Sequence, residues 1–158
     1  FQNRKKDCFH CPYIDGCIDR AKQVKSLLRE RAKEIRKEAE FLKETSLTNG
    51  GFGHEVTISG AGIKEWINQP HKHYREKNEL LLKLEETFNN AQYIGSTTDK
   101  KPRPNVANNH IFEIELCGEK SWIIVHEMEW GEFRIHSISD SKTIKEHIQK
   151  TNKKNKAY

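Results

Sequence analysis

A chain of 158 residues with 34% hydrophobic and 32% charged residues, and a mean hydropathy of −0.91, is too polar to be packed throughout. It has room for one domain plus an appended element, and no run approaches the ~20 apolar residues that a spanning helix needs. The net charge of +5 and pI near 9.0 favour a polyanionic partner such as nucleic acid.

The chain begins at Phe1 rather than Met, with no charged leader followed by an apolar run, and so reads as a piece of a longer polypeptide. Residues 1–45 carry Cys8, Cys11 and Cys17 in a C-x2-C-x5-C pattern, with His10 inside it. The C-x2-C step suits a structural zinc, with His10 or Cys117 as a fourth ligand. No second C-x2-C exists, so this is half of a zinc signature. An iron–sulfur cluster or free thiols remain open. Ala21, Val24, Leu28, Ile35 and Leu42 then fall at spacings of three, four and seven, which predicts a long charged helix over Ile18–Glu44. Its apolar stripe is narrow, so it needs a partner surface.

Residues 46–53 have the composition of a linker, and the pattern changes after them. Residues 54–150 predict a folded domain and residues 151–158 a basic tail. Within the domain, His54–Ser59 is β-like, and Ile63, Trp66 and Ile67 have helical spacing up to Pro70. A strong helix is expected over Lys72–Asn89 on the stripe Tyr74, Leu81, Leu84 and Phe88. A strand follows over Ala91–Gly95, then a long loop over Ser96–Asn109. His110–Cys117 and Glu119–Met128 form a hairpin, Phe133–Ser139 another strand, and Ser141–Gln149 a short helix. The fold class is therefore α+β: an antiparallel sheet of about four strands against one long and one or two short helices, preceded by the long N-terminal helix.

Side chains two apart on a strand share a face. If helices cover Phe112, Ile114, Val125 and Ile135, the open face shows Glu113, His126, Arg134 and His136. A carboxylate, two imidazoles and a guanidinium are what metal-free RNA cleavage requires: a base for the 2′-hydroxyl, an acid for the leaving oxygen, and a cation for the phosphorane. His suits the first two roles because it titrates near working pH. On spacing alone, the plainer account is a solvated face with ordinary ion pairs such as Glu113 to Arg134. A second polar cluster, His71, Lys72, His73, Tyr74, Arg75 and Lys77, stands at the start of the Lys72–Asn89 helix. A helix N-terminus favours a phosphate and disfavours basic side chains, so their placement there argues slightly for function.

The run from Gly62-Ile63-Lys64-Glu65-Trp66 through Asn68-Gln69-Pro70-His71-Lys72-His73-Tyr74 to Leu81, with Ser121-Trp122-Ile123-Ile124, Trp130-Gly131-Glu132 and Ser137–Ser141, resembles a phage domain. It is similar to the phage branch of the barnase, EndoU, colicin and RelE-like nuclease superfamily, often fused to the C-terminus of Mu F-type head morphogenesis (minor capsid) proteins. The resemblance covers about Val56 to Ile148. It implies a toxin-type endoribonuclease that needs no cofactor for catalysis. Carried over by position, His71, His73, Tyr74 and Lys77 would come from the helix, and Arg134, His136, Ser137 and Ser139 from the last strand. His110 or Glu113 would come from the first. It further implies RNA (tRNA among the candidates), an immunity protein and phage capsid or portal components as partners, in the bacterial cytoplasm or the virion. The alternative is a non-enzymatic head module that binds DNA or capsid partners. The catalytic reading requires Arg134, His136 and the His71–Lys77 turn to converge within side-chain reach.

Overall fold

The computed structural model of the chain describes residues 14–98, 103–146 and 148. Contacts divide the chain into two units, Phe1–Glu34 and Ile35–Tyr158. Helix α1 (Ile14–Glu38) carries the described residues of the first unit and ends in the second. Residues 16–27 are exposed, including Val24 and Leu27. Within the second unit, Ile35, Ala39 and Leu42 are buried. The α-helix stops at Glu38, short of the expected Glu44, because the chain tightens into a 3-10 turn over Ala39–Glu44. Of the three N-terminal cysteines, Cys17 is exposed, and Cys8 and Cys11 lie outside the described residues.

The expected linker is instead part of the core. Leu47 is buried and forms an isolated bridge with Val56, with both backbone bonds at 2.8 Å. Asn49 is buried too, and its Nδ2 donates to the carbonyls of Phe88 and Ala91 at 2.8 and 2.7 Å. The turn composition was real, but an Asn side chain can cap a helix end inside a core as readily as it turns in solvent.

The α+β class holds, with a mixed sheet of five strands in place of about four antiparallel ones. The strands are β1 (Val56–Thr57), β2 (Gln92–Thr97), β3 (Val106–Leu116), β4 (Glu119–Met128) and β5 (Phe133–Ser139), in the order β1-β5-β4-β3-β2. β1 is parallel to β5, and the remaining pairs are antiparallel. Since β2 reaches Thr97 and β3 starts at Val106, the expected long loop is much shorter. β3 and β4 are joined through Cys117 and Gly118, both at positive φ (53° and 76°), the signature of a two-residue hairpin turn whose twist matches the strands.

Helix α2 (Gly60–Asn68) is capped by Ser59, whose Oγ accepts from the Gly62 N–H. The single helix expected over Lys72–Asn89 is broken into α3 (Tyr74–Glu79), a 3-10 turn (Leu80–Lys83) and α4 (Leu84–Asn90). The bend falls at Lys83, with φ −121° and ψ 23°. The segments still bury Leu81, Leu84 and Phe88.

Both sheet faces carry apolar clusters. By register, Phe112, Ile123, Val125 and Ile135 share one face, where Phe88 lies against Phe112 with centroids 4.7 Å apart. On the other, Ile111, Trp122 and Ile148 form a second buried cluster, joined by Ile94, Ile124 and Ile144. The face expected to be open is thus partly covered by the helical turn at 143–146. Strand β5 also carries a bulge: Ile124 pairs with Ser137 and Val125 with Ile135, which leaves His136 as the extra residue.

Lys77 sits at the junction of α2 and α3 and is fully buried. Its Nζ donates to the carbonyls of Trp66, Ile67 and Gln69 at 2.6, 3.1 and 2.6 Å, and Trp66 Nε1 donates back to the Lys77 carbonyl at 2.8 Å. These are the carbonyls that the end of α2 leaves without intrahelical partners. Lys77 is therefore a helix cap, buried away from the catalytic set in which the resemblance placed it. Replacing it by Met takes the donor from three carbonyls, two of them in fully buried bonds, and should lower stability by about 3 kcal/mol or more in urea unfolding at pH 7. Burial pulls its ammonium down to about 8 from 10.5. Between those values the unfolded chain keeps a proton that the folded chain has shed, so the Lys77 contribution to stability grows as pH rises. The gap between wild type and Lys77→Met should widen across that window.

A Cβ on Gly62 would meet the Ile135 carbonyl oxygen at 2.8 Å and Ile58 Cγ1 at 3.0 Å. The backbone of β5 cannot give way cheaply. Gly62→Ala should cost about 1–3 kcal/mol in thermal or urea unfolding despite the better helix propensity of Ala.

Candidate active site

A pocket of about 400 Å³ opens on the face that carries the second apolar cluster. At one side of it the imidazoles of His126 on β4 and His136 on the β5 bulge are stacked, with centroids 4.1 Å apart and planes at 16°. Arg103, from the β2–β3 connection, donates through Nη1 to His136 Nε2 at 2.8 Å and to His126 Nε2 at 3.4 Å. A guanidinium only donates, so in this arrangement both Nε2 atoms present lone pairs and the ring hydrogens lie on Nδ1.

The bulge matters to the site. Strict alternation would send His136 and Ser137 to opposite faces, yet both line the pocket, with Ser139 beyond them. From α2, Glu65 and Gln69 reach the same pocket, because residues four apart share a helix face. The close approach at Gly62 brings that helix against β5. Asn109 of β3, Thr97 of β2 and the following Thr98 complete the polar lining. A carboxylate, two imidazoles, a guanidinium and several hydroxyls thus surround one cavity.

The structure disperses most of the other residues singled out from sequence. Arg134 lies cross-strand from His126 on the same face, but its guanidinium forks onto Glu132 at 2.9 and 2.8 Å and lies 5.6 Å from the Trp130 ring. Arg134 and Trp130 together hold Glu132 below the usual carboxylate range. Glu113 shares the face by register but accepts from Trp122 Nε1 at 3.2 Å and pairs with Lys120 and Lys145 at 3.5 and 3.8 Å. The expected Glu113–Arg134 pair gives way to these nearer partners. His110 points to the opposite face, buried between the Tyr93 hydroxyl at 2.9 Å and Glu127 at 3.1 Å. Burial pushes Glu127 up, but the bonds from Asn108 and His110 outweigh it and leave the carboxyl low. This triad ties three strands together.

The His71–Lys77 turn does not join the pocket. Glu119 and Ser121 alternate onto the face of Ile123 and Val125, across the sheet from His126. It is there that His71 bonds Ser121 Oγ at 2.9 Å and His73 Nε2 bonds Glu119 at 3.1 Å. Lys72 Nζ bonds the same Glu119 at 2.7 Å, and its backbone N–H bonds Asp140. Tyr74 lies with its ring 4.5 Å from the Lys77 ammonium. The convergence that the sequence-derived catalytic set required is therefore absent. His71, His73, Tyr74 and Lys77 belong to a separate region, whereas His126, His136, Ser137 and Ser139 share the pocket.

Glu65, Gln69, Arg103, Asn109 and Thr97 were missed from sequence. Two faint signals existed: the four-residue spacing of Glu65 and Gln69, and Arg103 between Pro102 and Pro104 in a loop already marked as long.

The family model described as large polyvalent protein-associated domain 3 matches residues 27–136. The chain belongs to this family. It is a phage-associated family, which agrees with the phage context that the resemblance implied. No curated protein and no solved structure matches the chain. The matched span includes Glu65, Arg103, His126 and His136 and so takes in the stacked pair and its guanidinium. Among the described residues, no helix is long and apolar enough to cross a membrane.

His71 provides a direct check of the second region. Its Nδ1 accepts from the His73 N–H at 2.8 Å, so the ring hydrogen sits on Nε2 and is donated to Ser121. In that tautomer His71 cannot take a proton from Ser121. Burial lowers its pKa below 6.5, with Asp140 opposing in part. Below 6.5 the unfolded chain takes up the proton first, so stability falls as pH drops through that range. An NMR titration should give His71 a midpoint under 6.5, with the Nε2–H tautomer above it.

Proposed function

We propose that this domain is a metal-independent endoribonuclease of toxin type, carried by a phage or prophage protein and acting on RNA in the bacterial cytoplasm or from the virion. The stacked His126–His136 pair bridged by Arg103 carries the reading. An RNA phosphate entering the pocket competes for the Arg103 guanidinium, since a bidentate anion is a better partner for it than two imidazole lone pairs. That exchange frees the Nε2 atoms beside the bound phosphate. Glu65 or one imidazole takes the 2′-hydroxyl proton, and the 2′-oxygen attacks phosphorus. The other imidazole, which takes a proton from solvent at Nε2 once Arg103 turns to the phosphate, delivers it to the departing 5′-oxygen, and a 2′,3′-cyclic phosphate results. Arg103 stabilises the charge of the phosphorane. The barnase and RelE-like superfamily is the corresponding finer assignment, with an immunity protein or capsid components as partners.

A second reading, nucleic-acid binding without turnover in a phage head module, is favoured by Trp130, which is 58% exposed beside Arg134. An exposed indole and a guanidinium form a stacking platform for unpaired bases.

Cleavage of RNA by the full chain in the presence of EDTA separates the two. His136→Ala and Arg103→Ala should each slow cleavage by about 100-fold or more, with His126→Ala in the same direction. His71→Ala, across the sheet, should leave the rate unchanged. Cleavage that survives His126→Ala combined with His136→Ala would sink the nuclease mechanism. Salt-sensitive binding without any product would favour the head module.

A further inference from the structure

On the side of the sheet away from the pocket, the end of the β3–β4 hairpin meets the start of α3. There His73, at the N-cap of α3, Glu76, in its first turn, and Cys117, at the hairpin tip, bring one ligand atom each to within 4.8 Å of one another. They are 44 and 41 residues apart in the chain on the Cys117 side, so only the fold assembles them. We propose that this cluster is a transition-metal site, with Zn2+ the ion it fits, that clamps the helical layer to the hairpin. The inference does not depend on the nuclease reading.

The chemistry of the set is selective. Thiolate, imidazole and carboxylate together suit Zn2+ and exclude the all-oxygen shells of Mg2+ and Ca2+. Ligand atoms at about 2.0–2.3 Å from a tetrahedral zinc lie about 3.3–3.8 Å from one another, so the cluster needs to close by about 1 Å. Glu76 is half-buried and Cys117 exposed, so their rotamers have room for that. Glu119 accepts from His73 Nε2 at 3.1 Å and from Lys72 Nζ at 2.7 Å. It is the carboxylate that orients a metal-binding imidazole from outside the coordination shell. Water fills the fourth position.

Cys117 has a second peculiarity. It stands at φ 53°, in the left-handed region where Asn or Gly would form the turn at lower cost, and its side chain is exposed and packs no core. A thiol at that place is explained by ligation. On binding, the Cys117 S–H bond breaks, its proton passes to solvent, and the thiolate binds the cation. No electron is transferred.

The test uses the full chain with Cys8, Cys11 and Cys17 replaced by Ala, so that no other N-terminal thiolate contributes, and titrates Co2+ and then Zn2+ under a non-chelating reductant. One equivalent of Co2+ should bind with a thiolate-to-cobalt charge-transfer band that Zn2+ then displaces, and Zn2+ should raise the melting temperature. Cys117→Asn suits the turn geometry, so it should keep the fold while abolishing both the band and the melting shift. His73→Ala should weaken Zn2+ binding by at least about tenfold. Absence of the band in the parent, or its persistence in Cys117→Asn, overturns the site.

Discussion

The buried ammonium of Lys77 is the constraint from which much of the helical layer follows. Helix α2 must end where Pro70 stops it, and its last carbonyls lie in buried or part-buried surroundings. Lys77 satisfies three of these from the next helix, and Trp66 returns a bond to the Lys77 backbone. The reciprocal pair fixes the path of residues 66–77. Asn49 serves α4 in the same way, with its amide on the Phe88 and Ala91 carbonyls. In both cases a polar side chain that reads as surface from sequence is buried because a helix end needs a donor.

With α2 held at its C-terminus, its other contacts follow. Gly62 allows the helix to lie against the β5 backbone, and Glu65 and Gln69 then reach the edge of the pocket. The β5 bulge supplies the opposite wall by bringing both His136 and Ser137 to one side. Arg103 is delivered by the loop between β2 and β3, and its single Nη1 spans two stacked rings. The pocket is thus the meeting point of a helix end, a strand irregularity and a loop.

The two histidine clusters occupy opposite sides of the sheet and have different characters. His126 and His136 present lone pairs to a guanidinium beside a cavity, an arrangement that an entering anion can rearrange. His71 and His73 are tied into bonds with Ser121 and Glu119, and His71 carries its hydrogen on the nitrogen facing the serine. The latter pattern suits holding a hairpin in place.

Local periodicity determined a good deal by itself. The α+β class, the positions of β4 and β5, the second half of β3, and the grouping of Glu113, His126, Arg134 and His136 on one face were legible, because side-chain alternation is a property of the strand alone. The start of β3 at Val106 was hidden in what reads as a loop. What only the tertiary structure decided was the use of those residues. Charged side chains go to the nearest partner in space, so Arg134 took Glu132, Glu113 took Trp122 and two lysines, and Lys77 took the end of α2. No spacing rule marks a bulge at His136, the burial of Asn49 or the arrival of Arg103 from a loop. Each depends on which distant backbone group lacks a partner, and that is settled only when the layers pack.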